Sequence, residues 1–439
     1  MRLITCSMVA ILVAALGGSR VMEAAEPAAG FKPGGPLAGL PSKAEGPHVE
    51  KIKALGDDQW LDLGSPAADP VWGRRLGASW TPRMAYAGEL RAAFVTAGGA
   101  HGGTFMRNGQ RHYNDDLFAY DINAHRWICI YPGANCQTLK LKLDEHGSEV
   151  DEQGNCVPVA YAGHGFNLQA YNPDLHKFVL IWNSDPWWKP ALPQRNEWLG
   201  VPHEQWKEVY KSGRLIQTPK HPFFYDVSAG KWERKFVEGA GPEPKNFEGV
   251  VEYLPSRKQA LFLHHGKIWF YDFAENRWID PKAPTPPAPH TGYDCSACLD
   301  TRRERAYSGK GNVFCAYDVK TNAWSDTTEA SKLPVVLGGG VCETMTYDSV
   351  NDVIVLNAYG HGDYYKGRTE DRGLYFYSPA EGKWLSDKPR ALPKDYGTKA
   401  RALTNAFYDP EFNVHYFFTA GDSYDNGTMW AYRYRNLKK

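Results

Sequence analysis

The sequence predicts an all-β fold, a single β-propeller of six four-stranded blades. Three observations lead to this prediction: five segments carry a Tyr followed seven residues later by a Trp, compact copies of this unit recur every 46 residues, and the chain ends leave one blade a strand short. Repeats with a period of about 20 to 50 residues are typical of solenoids and propellers. A ring of seven blades fits these observations less well.

The repeated unit reads as a β-hairpin. Its Tyr ends one strand, Asp and small polar residues form a turn, and its Trp opens the next strand. Upstream of each hairpin lies another strand pair around a polar turn, as in EYLPSRKQALFLH, so each unit supplies four strands. The five tryptophans are Trp127, Trp232, Trp278, Trp324 and Trp384. We expect these aromatic side chains to pack between strands and blades.

The two ends of the chain predict how the ring closes. The last unit supplies three strands and stops after Tyr432 without a Trp strand. Far upstream, Trp60 lies in a short alternating strand that has no blade of its own. Pairing of residues 57–64 with 428–435 would complete the sixth blade and remove an exposed sheet edge. The sequence thus predicts one propeller domain over residues 57–439.

The pairing of a third-strand Tyr with a Trp at the start of the fourth strand resembles the Kelch repeat, over roughly residues 57 to 436. The resemblance implies a Kelch-type propeller like the central domain of galactose oxidase. The regular Gly-Gly doublet of that family occurs only at Gly98 and Gly99. A copper-radical site would need an adjacent Tyr-His, and the chain has only the reverse order. The resemblance therefore specifies architecture and hardly any chemistry.

Charge and terminal composition predict location and exclude some partners. Lys plus Arg and Asp plus Glu both number 50, so no net field would hold a nucleic acid. Residues 1–25 read as a signal peptide, which predicts a secreted or periplasmic protein. No later apolar run is long enough to span a bilayer in the mature protein. Residues 26–56, rich in Pro, Gly and Ala, read as a linker with little structure of its own.

The cysteine pattern predicts one disulfide. Cys136 and Cys156 flank a segment that reads as a β-hairpin, and a bond across its base suits an oxidising compartment. Removing the signal leaves an odd number of cysteines, so at least one thiol has no partner within a monomer. Cys295 and Cys298 form a single CSAC without the second pair that a zinc finger needs.

Variation in loop length indicates where a site lies. In a four-stranded blade, the loops from second to third strand and those between blades emerge at one end, which we call the long-loop face. The other turns emerge at the short-turn face. Three second-to-third loops are long, covering residues 98–115, 183–221 and 358–373. Because loops on a rigid scaffold carry function, we predict a site on the long-loop face, shaped as a cleft for an extended polymer.

Polar and aromatic side chains on this face are the candidates for chemistry. Arg can bind a uronate carboxylate and Tyr or His can abstract a proton, as a polysaccharide lyase requires; the catalytic candidates are His101, Arg111, His164, Tyr293 and His361. Aromatic rings can stack on sugars; the ligand-binding candidates are Trp187, Trp188, Tyr364 and Arg368. Alternatively, the histidines bond to backbone at strand ends and the tryptophans form a small core within their insertion.

Two functions remain open from the sequence. The first is a secreted propeller that binds, or binds and cleaves, an acidic extracellular carbohydrate. The second is a non-catalytic protein-interaction scaffold. Neither requires a cofactor, although His101, His164 and His361 at one channel mouth would suit a divalent metal such as zinc. We expect a monomer.

Overall fold

The computed structural model describes residues 31–436 except 76–80, 97–103, 114–115, 146–148, 158–166, 182–220, 236–243, 245–248, 265, 287–295, 312, 326–333, 336–342, 359–371, 397–402 and 421–426. These residues form antiparallel sheets, the helix α1 (Pro47–Lys53) and single 3-10 turns at Gly35–Leu37 and Gly88–Leu90. None of the described helices is long and apolar enough to cross a membrane.

The strands that the structure describes are short, and most lie in four-stranded sheets. In chain order they are β1 (Gln59–Gly64), β2 (Ala85–Ala87), β3 (Ala92–Thr96), β4 (Thr104–Arg107), β5 (Gln110–Tyr113), β6 (Leu117–Asp121), β7 (Arg126–Tyr131), β8 (Lys142–Leu143), β9 (Glu149–Val150), β10 (Gln169–Asn172), β11 (Lys177–Leu180), β12 (Phe223–Asp226), β13 (Lys231–Glu233), β14 (Val250–Leu254), β15 (Gln259–His264), β16 (Lys267–Asp272), β17 (Arg277–Ile279), β18 (Ser296–Asp300), β19 (Arg305–Lys310), β20 (Val313–Asp318), β21 (Ala323–Trp324), β22 (Thr344–Asp348), β23 (Val353–Ala358), β24 (Gly373–Ser378), β25 (Lys383–Trp384), β26 (Leu403–Asp409), β27 (Val414–Ala420) and β28 (Thr428–Arg433).

Six antiparallel sheets are the six blades of a β-propeller, which confirms the predicted fold class. Blade 1 is β2-β3-β6-β7, blades 2 to 5 are β10–β13, β14–β17, β18–β21 and β22–β25, and blade 6 is β26-β27-β28-β1. The first strands of successive blades contact one another, and β26 contacts β2. The first strands therefore form a closed ring around a central channel.

Each hairpin of the repeat places its Tyr directly opposite its Trp. In blade 3, for example, Tyr271 pairs with Trp278 across β16 and β17, with ring centroids 5.1 Å apart. The four-residue turn between them ends at Asn276, whose φ of 50° is left-handed. This turn length fixes the register, so a spacing of seven residues always brings the two rings together. The rings pack within and between blades, as expected.

Ring closure follows the prediction from the chain ends. β1 pairs antiparallel with β28, with Gln59 opposite Arg433 and Trp60 opposite Tyr432. The Trp60 and Tyr432 rings lie 4.9 Å apart, as in the other blades. The strand from near the N-terminus therefore supplies the fourth strand of blade 6.

The segment before β1 differs from the unstructured linker that its composition predicts. Leu37 and Leu40 are buried against blades 1 and 2, and the Gly34 amide donates to the Val227 carbonyl at 2.7 Å. Val49 and Ile52 of α1 are fully buried in the core shared by blades 6 and 1. Composition did not predict this structure because the segment is ordered by its contacts with the blades and has no strand or helix pattern of its own over most of its length.

The predicted disulfide is also corrected by the structure. The hairpin between the two cysteines forms, as β8 paired with β9. Its flanking cysteines, however, are not bonded to each other. Cys136 packs with Tyr113 and Ala134, whereas Cys156 packs against the core between blades 1 and 2. Flanking a hairpin in sequence did not bring the two sulfurs together, because each end of the segment docks on a different surface.

Candidate functional site

Arg111 is the predicted site residue that lies within the described part of the chain. The other candidates fall outside the described residues: His101, His164, Tyr293, His361, Trp187, Trp188, Tyr364 and Arg368. Within the described ranges, no group of three His, Cys, Asp or Glu side chains is placed to hold a metal ion. The sites predicted on those loops remain predictions.

Arg111 lies on a β-ribbon at the long-loop face. β4 and β5 form this ribbon within the loop between the second and third strands of blade 1, with Arg111 opposite Met106. The side chain of Arg111 is exposed. Its carbonyl accepts a 2.8 Å hydrogen bond from the Cys136 amide, so a third segment widens the ribbon. The ribbon is thus part of a wider strand arrangement that includes the segment around Cys136.

A buried ion pair fixes the ribbon to the body of the propeller. Arg107, beside the turn at the tip of the ribbon, pairs with Asp116 just before β6, and their side chains are 4% and 0% exposed. Arg107 Nη1 also donates to the Trp72 carbonyl at 2.7 Å. Burial raises the pKa of the Asp116 carboxyl, although Arg107 and Arg75 oppose the rise. Removing one member of such a pair leaves an uncompensated buried charge, so the ribbon is held rigidly.

The tip of the ribbon combines apolar and polar surface. Met106 is 61% exposed and Val71 is 62% exposed, and both are large apolar residues. Asn108 donates to the Val71 carbonyl at 2.9 Å, which ties the two segments together at the tip. Exposed apolar side chains beside Arg111 give the ribbon the character of an interaction surface.

A second candidate site lies in the central channel and opens on the short-turn face. It is a cavity of about 270 Å³. Its rim includes Thr301, Ser349 and Pro410, each the first residue of the turn between first and second strands of its blade. These three turns belong to blades 4, 5 and 6. The cavity therefore opens at the end of the propeller opposite to the ribbon.

An ion pair between distant blades forms the floor of this cavity. Arg83, just before β2, pairs with Glu252 of blade 3, and their side chains are 13% and 16% exposed. Arg83 also donates to the carbonyls of Val251 at 2.7 Å and Ala297 at 3.0 Å. Burial raises the pKa of Glu252, and the Arg83 guanidinium opposes the rise. The pair lies across the channel and joins blades 1, 3 and 4.

Tyrosines surround the mouth of the cavity. Five of the six first strands carry a Tyr at the residue before their last, and blade 4 has Leu299 there. The five phenols that line the cavity are Tyr86, Tyr171, Tyr253, Tyr347 and Tyr408. Burial raises the pKa of every one of these phenols, so all remain protonated at neutral pH. These tyrosines therefore mark the end of the first strand in five of the six blades.

Each of these phenols donates a hydrogen bond to a residue in, or directly before, a turn between first and second strands. Tyr86 donates to Asp409 at 3.0 Å, Tyr347 to Asp352 at 2.7 Å and Tyr408 to Asn413 at 2.9 Å. The remaining bonds run from Tyr171 to Glu89 and from Tyr253 to Asp174. Three of the five bonds cross from one blade to its neighbour, so the ring of phenols also locks blades together.

A buried polar cluster joins blades 5 and 6 at the cavity wall. Thr346 of β22 lines the cavity, and its hydroxyl lies 2.9 Å from His415 Nδ1. His415 Nε2 lies 3.5 Å from Asp348 Oδ2. Burial favours the neutral form of Asp348, but hydrogen bonds with His415 and Asn351 hold the pKa of its carboxyl below the usual value. The cluster adds a hydroxyl group to an otherwise largely apolar wall.

The sequence prediction missed this cavity because it assigned the turns on that face to structure alone. A signal was present, since AYA, AYN, EYL, TYD and FYD place a Tyr at the same point of five first strands. The spacing of these tyrosines identifies the strand ends. Only the closed ring shows that the strand ends face a common cavity.

Comparison with known proteins adds little. No protein-family model matches the chain, and no curated protein matches it. Among solved structures, a protein of unknown function from Bacteroides thetaiotaomicron is similar to it with a TM-score of 0.40 and 8% identity, over 85% of this chain and 77% of that chain. At this level the similarity carries no argument about family, site or function.

Proposed function

We propose that this protein is an exported carbohydrate-binding propeller that holds an acidic polysaccharide on its long-loop face. A propeller is a rigid ring whose function resides in the loops that it carries, which is consistent with a binding or scaffold role. The proposal places the chain outside the cytoplasm on the basis of residues 1–25. It assigns no cofactor.

The observation that carries the proposal is the ribbon of β4 and β5. Its tip is fixed to the blade by the buried Arg107–Asp116 pair, and Arg111 on β5 is exposed. A guanidinium in a fixed position recognises a carboxylate through two parallel hydrogen bonds. A rigid support also lowers the entropy lost on binding. Repeated uronates along a polymer would supply carboxylates for Arg111 and for Arg368 on the loop of blade 5.

A binding assay with paired arginine variants tests this function. Wild-type protein is titrated with polygalacturonate, alginate and a neutral glucan, and Arg111→Gln is compared with Arg277→Gln. Arg277 is a matched control because it is also exposed and lies on the short-turn face. A hydrogen bond to a charged group contributes about 1.5–3 kcal/mol, so Arg111→Gln should weaken polyuronate binding roughly tenfold or more. Equal affinity of the two variants, or no polyuronate binding by wild type, would contradict the proposal.

Cleavage is a separate outcome of the same experiment. β-Elimination of a polyuronate creates an unsaturated product that absorbs in the ultraviolet. Wild-type protein should therefore be incubated with each polymer that it binds, with and without added zinc. The ultraviolet absorbance of the mixture is then followed over time. A rising signal that His101→Ala or His361→Ala abolishes would assign lyase chemistry to the predicted histidines. A flat signal would leave a binding protein.

A protein-interaction scaffold is the second candidate, and the exposed Met106 and Val71 favour it. Both lie at the ribbon tip, where a protein partner could bury them. Met106→Ser distinguishes the two functions, because it removes apolar contact area and keeps Arg111. Unchanged polyuronate binding in Met106→Ser, together with its loss in Arg111→Gln, would favour the carbohydrate.

A further inference from the structure

We propose that the cavity on the short-turn face is a second binding site, which takes one neutral sugar ring. It lies at the opposite end of the propeller from Arg111, so the inference does not depend on the proposed function. Three properties of the cavity favour such a ligand: its size, its charge and its hydrogen-bonding groups.

The cavity has the size of a single small ring. Its volume of about 270 Å³ equals that of about nine water molecules at about 30 Å³ each. The floor formed by Arg83 and Glu252 ends it within the channel, so a polymer cannot thread through. Its occupant is therefore one sugar unit, free or at the end of a glycan.

The charges around the cavity disfavour an ion. Arg83 and Glu252 neutralise each other at the floor, and Arg83 is already hydrogen-bonded to two carbonyls. An ion that entered would lose its hydration and find no free counter-charge. At the rim, the six turns between first and second strands carry five Lys or Arg and five carboxylates, which are Glu89, Asp174, Glu304, Asp352 and Glu411. These charges balance, so the rim has no net charge that would attract an ion of either sign.

The hydrogen-bonding groups suit hydroxyls. A phenol that donates its proton to a carboxylate keeps lone pairs free to accept from a ligand. Four of the five phenols at the mouth donate to carboxylates, Tyr86 to Asp409, Tyr171 to Glu89, Tyr253 to Asp174 and Tyr347 to Asp352, and Tyr408 donates to the amide oxygen of Asn413. The Tyr86 oxygen already accepts from Arg91, which leaves it one lone pair for a ligand. Thr301, Ser349 and Thr346 add hydroxyls to the rim and wall.

Much of the remaining cavity lining is apolar and suits the C–H face of a sugar. Aromatic and aliphatic side chains pack against such a face without needing hydrogen bonds. The apolar lining residues include Met84, Ala85, Ala170, Leu299, Met345 and Phe407. A ring with hydroxyls at its edge and an apolar face matches this combination of phenols and hydrocarbon.

Blocking the mouth of the cavity tests the proposal. Thr301→Trp places a large side chain at the rim, and Thr321→Trp is its matched control, since both residues are exposed turn residues of blade 4. The probes are glucose, galactose, mannose and xylose, with glucuronate and choline as charged comparisons, measured by ligand-observed NMR and calorimetry. Wild type and Thr321→Trp should bind at least one neutral sugar in the millimolar range or below, and Thr301→Trp at least tenfold more weakly.

A second variant tests the hydrogen bonds without changing the shape. Tyr253→Phe deletes one phenol oxygen at a half-buried position and should weaken the same sugar about two- to tenfold, the effect of one hydrogen bond. Arg111→Gln should leave sugar binding unchanged, which separates this site from the proposed polysaccharide site. The proposal is overturned if none of the neutral sugars binds, if Thr301→Trp binds as well as its control, or if glucuronate or choline occupies the cavity more tightly.

Discussion

Blades 4 and 6 reach the same structure from different chain connections. Blade 4 is one continuous segment, in which β20 and β21 are joined by a four-residue turn. In blade 6 the corresponding strands are β28 and β1, which lie at opposite ends of the chain. Both nevertheless place a Tyr opposite a Trp, Tyr317 with Trp324 and Tyr432 with Trp60. The position in the sheet, not the order along the chain, determines which residues are required.

Blade 6 has no turn between its third and fourth strands, but Asp58 takes the place of the last turn residue. In blade 4, Asn322 ends the turn with a φ of 53°, and its Oδ1 accepts from the Tyr317 hydroxyl at 2.6 Å. In blade 6, Asp58 precedes β1 with a φ of 55°, and its Oδ1 accepts from the Tyr432 hydroxyl at 2.7 Å. The left-handed residue and its bond to Tyr are therefore kept even though no turn joins the two strands.

Blade 6 has an anchor that a covalent turn makes unnecessary elsewhere. Arg433, 4% exposed, donates through Nη2 to the carbonyl of Ile52 at 2.9 Å and to that of Phe412 at 2.8 Å, and it also bonds to the Leu55 carbonyl. One guanidinium thus ties the end of α1 to β28. A strand from a distant part of the chain loses more conformational entropy when it docks than a strand joined by a short turn. The hydrogen bonds of Arg433 offset this loss.

The largest effect should come from removing the closing strand. Deletion of residues 26–64 exposes the edge of β28 and should cause aggregation and a large drop in melting temperature. Deletion of residues 26–51 keeps β1 but removes the buried Leu37, Leu40 and Val49, so we expect an intermediate loss, not the neutral result that a linker would give. Calorimetry and size-exclusion chromatography measure both. Equal stability of the two truncations would refute the role of β1 in closure.

A matched pair of tryptophan substitutions sharpens the comparison. Trp60 and Trp324 occupy equivalent positions and are both half-buried, so Trp60→Ala and Trp324→Ala should each cost about 2–3 kcal/mol. The variants should differ in hydrogen exchange. Trp60→Ala should accelerate exchange in β28 and α1, because β1 is held only by non-covalent contacts, whereas Trp324→Ala should affect blade 4 alone. The same pattern in both variants would mean that closure is no weaker than a continuous blade.

The smallest expected effect concerns the turn of blade 1. His125 stands where blade 4 has Asn322, and its Nδ1 lies 2.7 Å from the Tyr120 hydroxyl. Burial lowers the pKa of His125 to about 4, below the usual value near 6.5 for an unfolded chain. The unfolded state therefore binds a proton first, and stability falls as the pH drops from about 6.5 toward 4.

His125→Asn should remove this acid sensitivity while keeping the turn, because Asn readily adopts the left-handed φ. Denaturant unfolding at neutral pH should give similar stability for the two proteins. Near pH 5 the variant should be the more stable one. Parallel pH profiles would show that His125 does not titrate as its burial implies.

Much of the fold followed from short-range patterns. The Tyr–Trp spacing predicted each hairpin because a four-residue turn allows one register, and the unpaired strand around Trp60 predicted closure because an open sheet edge is costly. The linker and the disulfide were predicted wrongly because both depend on where a segment docks. For Leu37 and Cys156 that surface belongs to other blades, which no local pattern specifies.

By itself, the sequence determined the repeat, the strands of each unit and the lack of a fourth strand in the last unit. Each of these depends on residues within a few positions of each other. Only the tertiary structure decided which side chains meet in the channel. Arg83 and Glu252 are separated by 169 positions, and Tyr86 and Asp409 by 323. Contacts of that kind form only once the ring has closed, because closure brings the first strands of all six blades to one axis.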